Sequence, residues 1–304
     1  MAEEEAAPLY DPSAAPLKVL VWNIQFCAGT GVHFFYEGGD ATSVPSRPAV
    51  LHTLAALAEL ITRELPDLVL LQEVDRGARR SWYVDQLDEL RRLLPASYRA
   101  SASDWYWSLP WVPFPFAEML GRVEMHLCAL SRYAIGAARR VALPPVRSDG
   151  VLARLFNVRR AVQLLTLPTA DGRCVEVLHT HLSAFTGGDG TVEAQVEVLR
   201  ELVGEAAPHW LLAGDLNALP PGVSAEGLTG QAASAVPVGE MADPARRKRW
   251  FTLKYFGREE PEVTIDYLLH APHRWQVKDV KVLNAEETWP SDHAPLVATL
   301  EMMG

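Results

Sequence analysis

Several short apolar runs in this chain end on, or carry, an acid, an amide or a histidine. That arrangement restricts the fold more than any other feature. Residues 17–22 end at Asn23, residues 67–71 at Gln72-Glu73, and residues 174–178 at His179-Thr180-His181. Residues 209–213 read as a buried strand that runs out into Gly214-Asp215-Leu216-Asn217, and Pro220-Pro221 then stops any regular element. Asp266 lies inside the run 263–269, and Asp292-His293 stand in a loop before a last strand at 296–301. Neighbouring strands of this kind bring their polar ends to one sheet edge, where the sites of sheet proteins are commonly built. Each stretch also has a plain alternative. Gly, Asp and Asn are turn formers, Asn23 can cap a turn, Glu73 can be a solvated acid, and His179 and His181 can be core histidines. Asp266 beside Tyr267 resists such a reading, because a buried acid needs a partner. His293 is the natural one.

Further strands are expected at 127–131, at 161–167 and around Val280-Lys281-Val282. Val50, Leu54, Leu57, Ala58 and Ile61 fall at helical spacing, and Pro66 closes that helix. A short helix is expected over 84–94. Another carries Val192, Val196, Leu199 and Val203 on one face, with Gly204 as its stop. Strands outnumber helices and many joins are too short for a helical crossover. The pattern predicts two packed sheets with helices outside, in one domain over 17–304. Residues 1–16, rich in Ala, Glu and Pro, read as a mobile acidic tail. A Gly-rich loop from Gly29 to about Pro48 and a long irregular segment at about 220–262 complete the chain.

Three or four carboxylates meeting at one edge repel one another, and a divalent cation relieves that repulsion. Oxygen donors from Glu, Asp and Asn, without thiolate, suit Mg²⁺ or Mn²⁺ better than Zn²⁺. His179-Thr180-His181 also has the look of a zinc pair, but the further ligands such a site needs are not close by. Cys27, Cys128 and Cys174 are widely spaced and show no metal or disulfide spacing, which fits a reducing cytosol. The acidic N-terminus has no apolar stretch behind it, so no secretory signal is read there, and no apolar run is long enough to cross a bilayer. A hydrophobic fraction of 49% suffices for a core, while a formal charge of −10 argues against a protein that coats nucleic acid non-specifically.

Trp22-Asn23-Ile24, Leu71-Gln72-Glu73-Val74, Thr180-His181-Leu182, Gly214-Asp215-Leu216-Asn217, Ile265-Asp266-Tyr267 and Ser291-Asp292-His293-Ala294-Pro295 together resemble the ordered motifs of the endonuclease/exonuclease/phosphatase superfamily. Its members include apurinic endonucleases, deoxyribonuclease-I-like enzymes, neutral sphingomyelinases and inositol polyphosphate 5-phosphatases. Each motif alone is weak, but six in order across nearly the whole chain are specific. The resemblance implies a four-layer α/β sandwich of mainly antiparallel sheets and metal-dependent hydrolysis of phosphate esters. It makes Glu73 the main metal ligand, helped by Asn23 and Asp292, directly or through water. Asp215 would orient and deprotonate the attacking water. Asn217 and His181 would donate to non-bridging phosphate oxygens. His293, held and kept protonated by Asp266, would stabilise the charge building on phosphorus.

The chain also departs from the family pattern. Gln25 stands where apurinic endonucleases usually carry an acid, so a second metal supported from that strand is not expected. His126 to Arg132 is only similar to a family strand ending in Leu-Ser-Arg, and no amide ligand carries over there. The 5-phosphatase signature around the late aspartate is absent, and the stretch around Asp266 reads more like the nuclease and sphingomyelinase branches.

Arg160 matches an arginine often found opening the next strand, with phosphate contact or packing as its role. Arg247 and Trp250, in the run Arg246-Arg247-Lys248-Arg249-Trp250, are candidate substrate contacts. A basic loop of that kind could grip a nucleic-acid backbone or an anionic lipid head group, or simply be a solvated charge run. Residues 104–120, rich in Trp, Tyr, Phe and Pro, are expected as an aromatic strand and an ordered loop packed on the core, the alternative being a cleft wall for a substrate ring or a lipid surface. A small phosphodiester stays open as substrate. The other reading of the whole chain is a binding module that kept the fold and lost catalysis. Retention of Glu73, Asp215, Asp266, Asp292 and His293 favours the enzyme.

Overall fold

Alternation along the first strand sets the layering. In the computed structural model, β1 (Leu17–Asn23) sends Val19 and Val21 into one buried apolar cluster and Leu20 and Trp22 into another. Both faces are covered, which is why the run reads as continuously apolar. The structure describes residues 6–29, 44–113, 119–217, 232–255, 260–284 and 290–304.

One sheet is ordered β11 (Trp275–Val282), β12 (Leu296–Met302), β1, β2 (Leu68–Asp75), β4 (Gly121–Ser131) and β3 (Ala100–Val112). The other is ordered β5 (Ala137–Ala142), β6 (Ala161–Pro168), β7 (Cys174–His181), β8 (Trp210–Asp215), β10 (Asp266–His270) and β9 (Ala233–Ser234). Each sheet holds one parallel pair near its middle, β1 with β2 and β7 with β8. Parallel neighbours need a crossover, and helices α1 (Arg47–Glu64) and α4 (Thr191–Glu205) lie within the two connections. Between them in the chain are α2 (Gln86–Leu93) and α3 (Val151–Phe156), and α5 (Val238–Ala242) follows β9. The remaining strand pairs are antiparallel. This is the α/β sandwich expected from the sequence.

Helix boundaries follow local chemistry. The Ser46 hydroxyl accepts from the Ala49 N–H at 3.3 Å, and Leu65 ends α1 in the left-handed region just before Pro66. Asp85 caps α2 in the same way. Gly204 does not stop α4, which continues to Glu205. Nothing within 4 Å obstructs the helix at that glycine, so it is tolerated inside the last turn.

The N-terminal segment differs from expectation more sharply. From residue 6 it is not a loose tail. Tyr10 is fully buried, its N–H donates to the Pro168 carbonyl at 3.3 Å, and its carbonyl accepts from Ala170 at 2.8 Å. Local Ala/Pro composition carries no sign of this docking. One aromatic ring with a buried slot, against Tyr133 at 5.2 Å between centroids, is enough to dock the segment. The expected Gly-rich loop falls largely, at 30–43, outside the described residues, as do 114–118 of the aromatic stretch and 218–231 of the irregular one. The rest of the aromatic stretch forms strand β3, and Tyr106 and Trp107 join a small apolar cluster with β4.

Behind β2 lies an ion pair the sequence did not suggest. Arg80 Nε and Nη2 donate to the two oxygens of Asp75 at 2.9 and 3.0 Å, with both side chains wholly buried. The guanidinium stacks 3.7 Å from the centre of the Phe26 ring. Gln86 ties the same region, accepting from the Asp75 N–H and donating to the Phe26 carbonyl. Removing one partner of such a pair strands a buried charge, at a cost of roughly 3–5 kcal/mol. Arg80→Met is therefore expected to lower stability by about that much in urea denaturation. An unchanged midpoint would contradict this account.

Candidate active site

The carboxyl ends of the two parallel pairs meet across the sandwich. Asn23 closes β1 opposite Gln72. His181 and Asp215 are register partners closing β7 and β8, and Asp266, the first residue of β10, lies opposite Asp215. Asp292 and His293 come from the turn leading into β12. Ligand sites of α/β sheets favour such strand ends. A cavity of about 440 Å³ opens there, and Asn23, Glu73, His181, Asp215, Asn217, Asp292 and His293 all line it.

Glu73 reaches the cavity by a device the sequence concealed. The strand does not end there but continues to Asp75, and a bulge between Leu71 and Val74 holds Glu73 with φ at 59°. An extra residue of this kind re-aims a side chain. The Glu73 N–H is held by the Tyr106 hydroxyl at 3.2 Å.

A chain of short polar contacts crosses the floor. His293 Nδ1 lies 2.8 Å from Asp266 Oδ2, and His293 Nε2 lies 3.8 Å from Asp215 Oδ2. Asn23 Nδ2 donates to Asp215 Oδ2 at 3.0 Å, and His181 Nε2 stands 3.3 Å from the same oxygen. The Asn217 N–H donates to Asp215 Oδ1 at 2.9 Å. The turn behind His293 is fixed as well. Trp22 Nε1 donates to the His293 carbonyl at 2.7 Å, and the Ser291 hydroxyl donates to the Asn23 carbonyl at 2.8 Å.

These contacts set the protonation states. Burial alone would lower the His293 pKa, but the carboxylates of Asp266, Asp292 and Asp215 outweigh it and hold the ring well above its ordinary value. The Asp215 carboxyl is pushed up to about 7, first by burial and then by Asp266. His181 goes the other way: burial, then the nearby charges of Arg160 and His293, keep it well below its ordinary value and so neutral. Two buried histidines in one site thus differ in charge, one neutral and one cationic, a division set by environment.

Asp215, Asp266 and His293 each offer a donor atom, all within 4.8 Å of one another. A cation fits poorly in that group, because an imidazole held protonated by Asp266 has no lone pair to give. Glu73 is the better seat. Among the described residues its carboxylate accepts no hydrogen bond, and the nearest partner is His181 Nδ1 at 3.9 Å. With Asp292 on the same cavity it supplies the hard oxygen donors that Mg²⁺ or Mn²⁺ takes. Asn23 serves differently from expectation. Its Oδ1 accepts from the Gln25 N–H at 3.0 Å and its amide faces Asp215, so it positions the base as much as it offers an oxygen.

Arg160 lines the cavity with its guanidinium carbon 5.4 Å from the centre of the Tyr106 ring. Its Nη1 is buried with no hydrogen-bond partner among the described residues. Such a nitrogen is costly unless an anion meets it. Asn217 Nδ2 donates one hydrogen to the Leu182 carbonyl at 3.0 Å, leaving the other for a ligand. Trp250 is a correction, and Arg247 is not brought to the cavity. Trp250 is buried, with Nε1 donating to Glu240 at 2.9 Å, and Arg247 lies exposed in a short helical turn, Arg247–Trp250. Neither lines the cavity. The sequence reading missed Tyr106, Asp149, Asn157, Phe185 and Tyr255. Tyr106 stood in the flagged aromatic run, but the other four sit in connections with no periodic signal.

The model of the Endonuclease/Exonuclease/phosphatase family matches residues 20–293. No curated protein matches the chain. A solved endonuclease/exonuclease/phosphatase structure from Beutenbergia cavernae DSM 12333 is similar with a TM-score of 0.69 at 23% identity, covering 95% of this chain and 72% of that one. The human Nocturnin catalytic domain with bound sulfate anion has a TM-score of 0.61 at 20% identity, covering 95% of this chain and 94% of that one. A mannosyl-6-phosphatase from Bacteroides thetaiotaomicron VPI-5482 has a TM-score of 0.60 at 15% identity, covering 93% of this chain and 99% of that one. At these identities the likeness is one of fold.

Proposed function

The chain belongs to the endonuclease/exonuclease/phosphatase family, and from that premise we propose that it is a Mg²⁺- or Mn²⁺-dependent phosphoesterase that hydrolyses a phosphodiester by in-line attack of water. The carrying observation is one cavity lined together by His293, held by Asp266 and kept charged, by the Asp215 base, and by a Glu73 carboxylate that accepts no hydrogen bond among the described residues. Asp215, once deprotonated, accepts the proton of the attacking water through an oxygen that Asn23 already orients. His293 donates to the phosphoryl oxygens as their charge grows, and Asp266 keeps its ring turned and charged. Asn217 and Arg160 hold the remaining oxygens. When bound at Glu73 and Asp292, the cation supplies charge neutralisation of the phosphoryl group and leaving oxygen.

Among the described residues no helix is long and apolar enough to cross a membrane. Cys27, Cys128 and Cys174 are free thiols. They fit a cytoplasmic setting.

The direct test is hydrolysis of an aryl phosphodiester with Mg²⁺ or Mn²⁺. Turnover that vanishes on chelation and in Asp215→Asn is expected. No turnover with either ion, in folded protein, would instead leave a phosphate-binding module.

The protonation states give a second expectation. Folded Asp215 titrates at about 7 against an ordinary value of 3.8, so in that window the folded metal-free protein holds a proton that the unfolded chain has lost. That stabilisation is complete below the unfolded value and is lost as pH rises through about 7, and His293, also raised, acts with the same sign at higher pH. The metal-free protein should therefore melt lower at about pH 8 than at about pH 5 from these groups. Added Mg²⁺ should raise the midpoint more at the higher pH, because ionised carboxylates bind it. A larger Mg²⁺ shift at the lower pH would contradict the scheme.

A further inference from the structure

We propose that the open wall of the cavity is a seat for a flat ring on the alcohol side of a small, diffusible phosphoester, with Phe185 as its stacking platform. This inference rests on the phosphoesterase reading above. Phe185 lines the cavity while 75% exposed, in the connection between β7 and α4. Its φ is 54°, a left-handed conformation that bulky side chains seldom adopt. Neither burial nor local preference explains a phenylalanine held there, and strain of this kind gathers at ligand clamps.

The connection is pinned at both ends. The Ser183 N–H donates to Gln195 Oε1 at 2.9 Å, and Gln195 Nε2 donates to the Pro144 carbonyl at 2.7 Å. At the far end Asp189 accepts from the N–H groups of Thr191 and Ser148 at 2.9 and 2.8 Å. The ring is thus presented at the mouth by an anchored segment. Tyr255, 39% exposed, lines the same cavity, and so do Asp149 and Asn157, joined at 2.7 Å from Nδ2 to Oδ2. Aromatic faces beside polar groups suit a ring that carries hydrogen-bonding substituents.

Charge argues against a polymer. Among the described lining residues Arg160 is the one arginine or lysine, facing the acids Glu73, Asp149, Asp215 and Asp292. One cation and one guanidinium balance a single phosphate, whereas a nucleic-acid strand brings one for every nucleotide and needs a basic track. Three of the four cations in the basic run outside the cavity are met by nearby acids, Arg246 by Asp243, Lys248 by Glu260 and Arg249 by Glu240, at 3.4–3.5 Å. A cavity of about 440 Å³ is of small-molecule size.

The test is calorimetric titration of the Mg²⁺-loaded full chain with thymidine 5′-monophosphate, with ribose 5-phosphate and with a single-stranded oligodeoxynucleotide at about 0.15 M salt. The wild type is expected to prefer the nucleotide to the ringless sugar phosphate by about tenfold or more, the size of one stacked base. Phe185→Ala should erase that preference and Phe185→Trp should retain it. Equal affinity for both small esters, equal weakening of both by Phe185→Ala, or tighter binding of the oligonucleotide than of the nucleotide would overturn the inference. Aryl phosphodiester turnover, measured in parallel, tests the phosphoesterase reading by itself, so the two can fail separately.

Discussion

His293→Ala is expected to lower phosphodiester turnover by about three orders of magnitude, the usual loss when a preorganised charged donor to the transition state is removed. The ring's position explains the size. It stands between Asp266 Oδ2 at 2.8 Å and Asp215 Oδ2 at 3.8 Å, held by a backbone that Trp22 and Ser291 fix. The same burial complicates the variant, because alanine leaves Asp215 and Asp266 facing each other without the cation between them. Folding should therefore be checked by circular dichroism at the assay temperature, with His293→Gln as a companion that keeps a hydrogen-bonding side chain. Asp266→Asn provides a finer readout. Without the carboxylate the His293 pKa falls, so the alkaline limb of the rate profile should move to lower pH while the ring remains. Turnover near wild type in folded His293→Ala, or an unmoved limb in Asp266→Asn, would remove His293 from the role given to it.

The second large effect is expected on the fold. Gly214 has φ at 142°, and a Cβ placed on it would fall inside the carbonyl group of Thr180, its register partner across the parallel pair. The obstruction is backbone, and β8 is held on its other side by β10, so the strands cannot part to admit a methyl group. Gly214→Ala is expected to cost more than about 4 kcal/mol, in the range reserved for changes that force a packed backbone apart. Any folded fraction would carry Asp215 displaced from Asn23 and His181. The same substitution at Gly204, inside α4 with open space around it, should be neutral or stabilising by up to about 1 kcal/mol. Equal urea midpoints for Gly214→Ala and the wild type would refute the steric account.

The glycine of Gly214-Asp215-Leu216-Asn217 thus has a reason that the sequence reading, which saw a turn former, did not supply. Other residues were more transparent. Asn23, His181 and Asp215 stood out because apolar alternation stops at them, and that signal is local. His179 read as a core histidine and is one: burial pushes its pKa down to about 3, and it bridges Gln72 at 2.6 Å and Gln163 at 3.1 Å. Trp250 misled because an exposed basic run says nothing about which way its terminal indole turns. Tyr10 misled because composition cannot register a docking slot made by Tyr133 and strand β6, more than a hundred residues away.

By itself, the sequence determined most of the strands, the longer helices and the polar residues at the strand ends, since each follows from periodicity or capping within a few residues; the two parallel pairs, β1 with β2 and β7 with β8, came from the tertiary structure. Tertiary structure alone decided that Asn23, Glu73 and Asp292 from one side of the sandwich would face His181, Asp215 and Asp266 from the other. It also decided that a bulge would turn Glu73 inward and that an anchored connection would hold Phe185 at the mouth. Those outcomes depend on how two sheets dock and on where loops are tied, and contacts between residues far apart in the chain leave no periodic trace in it.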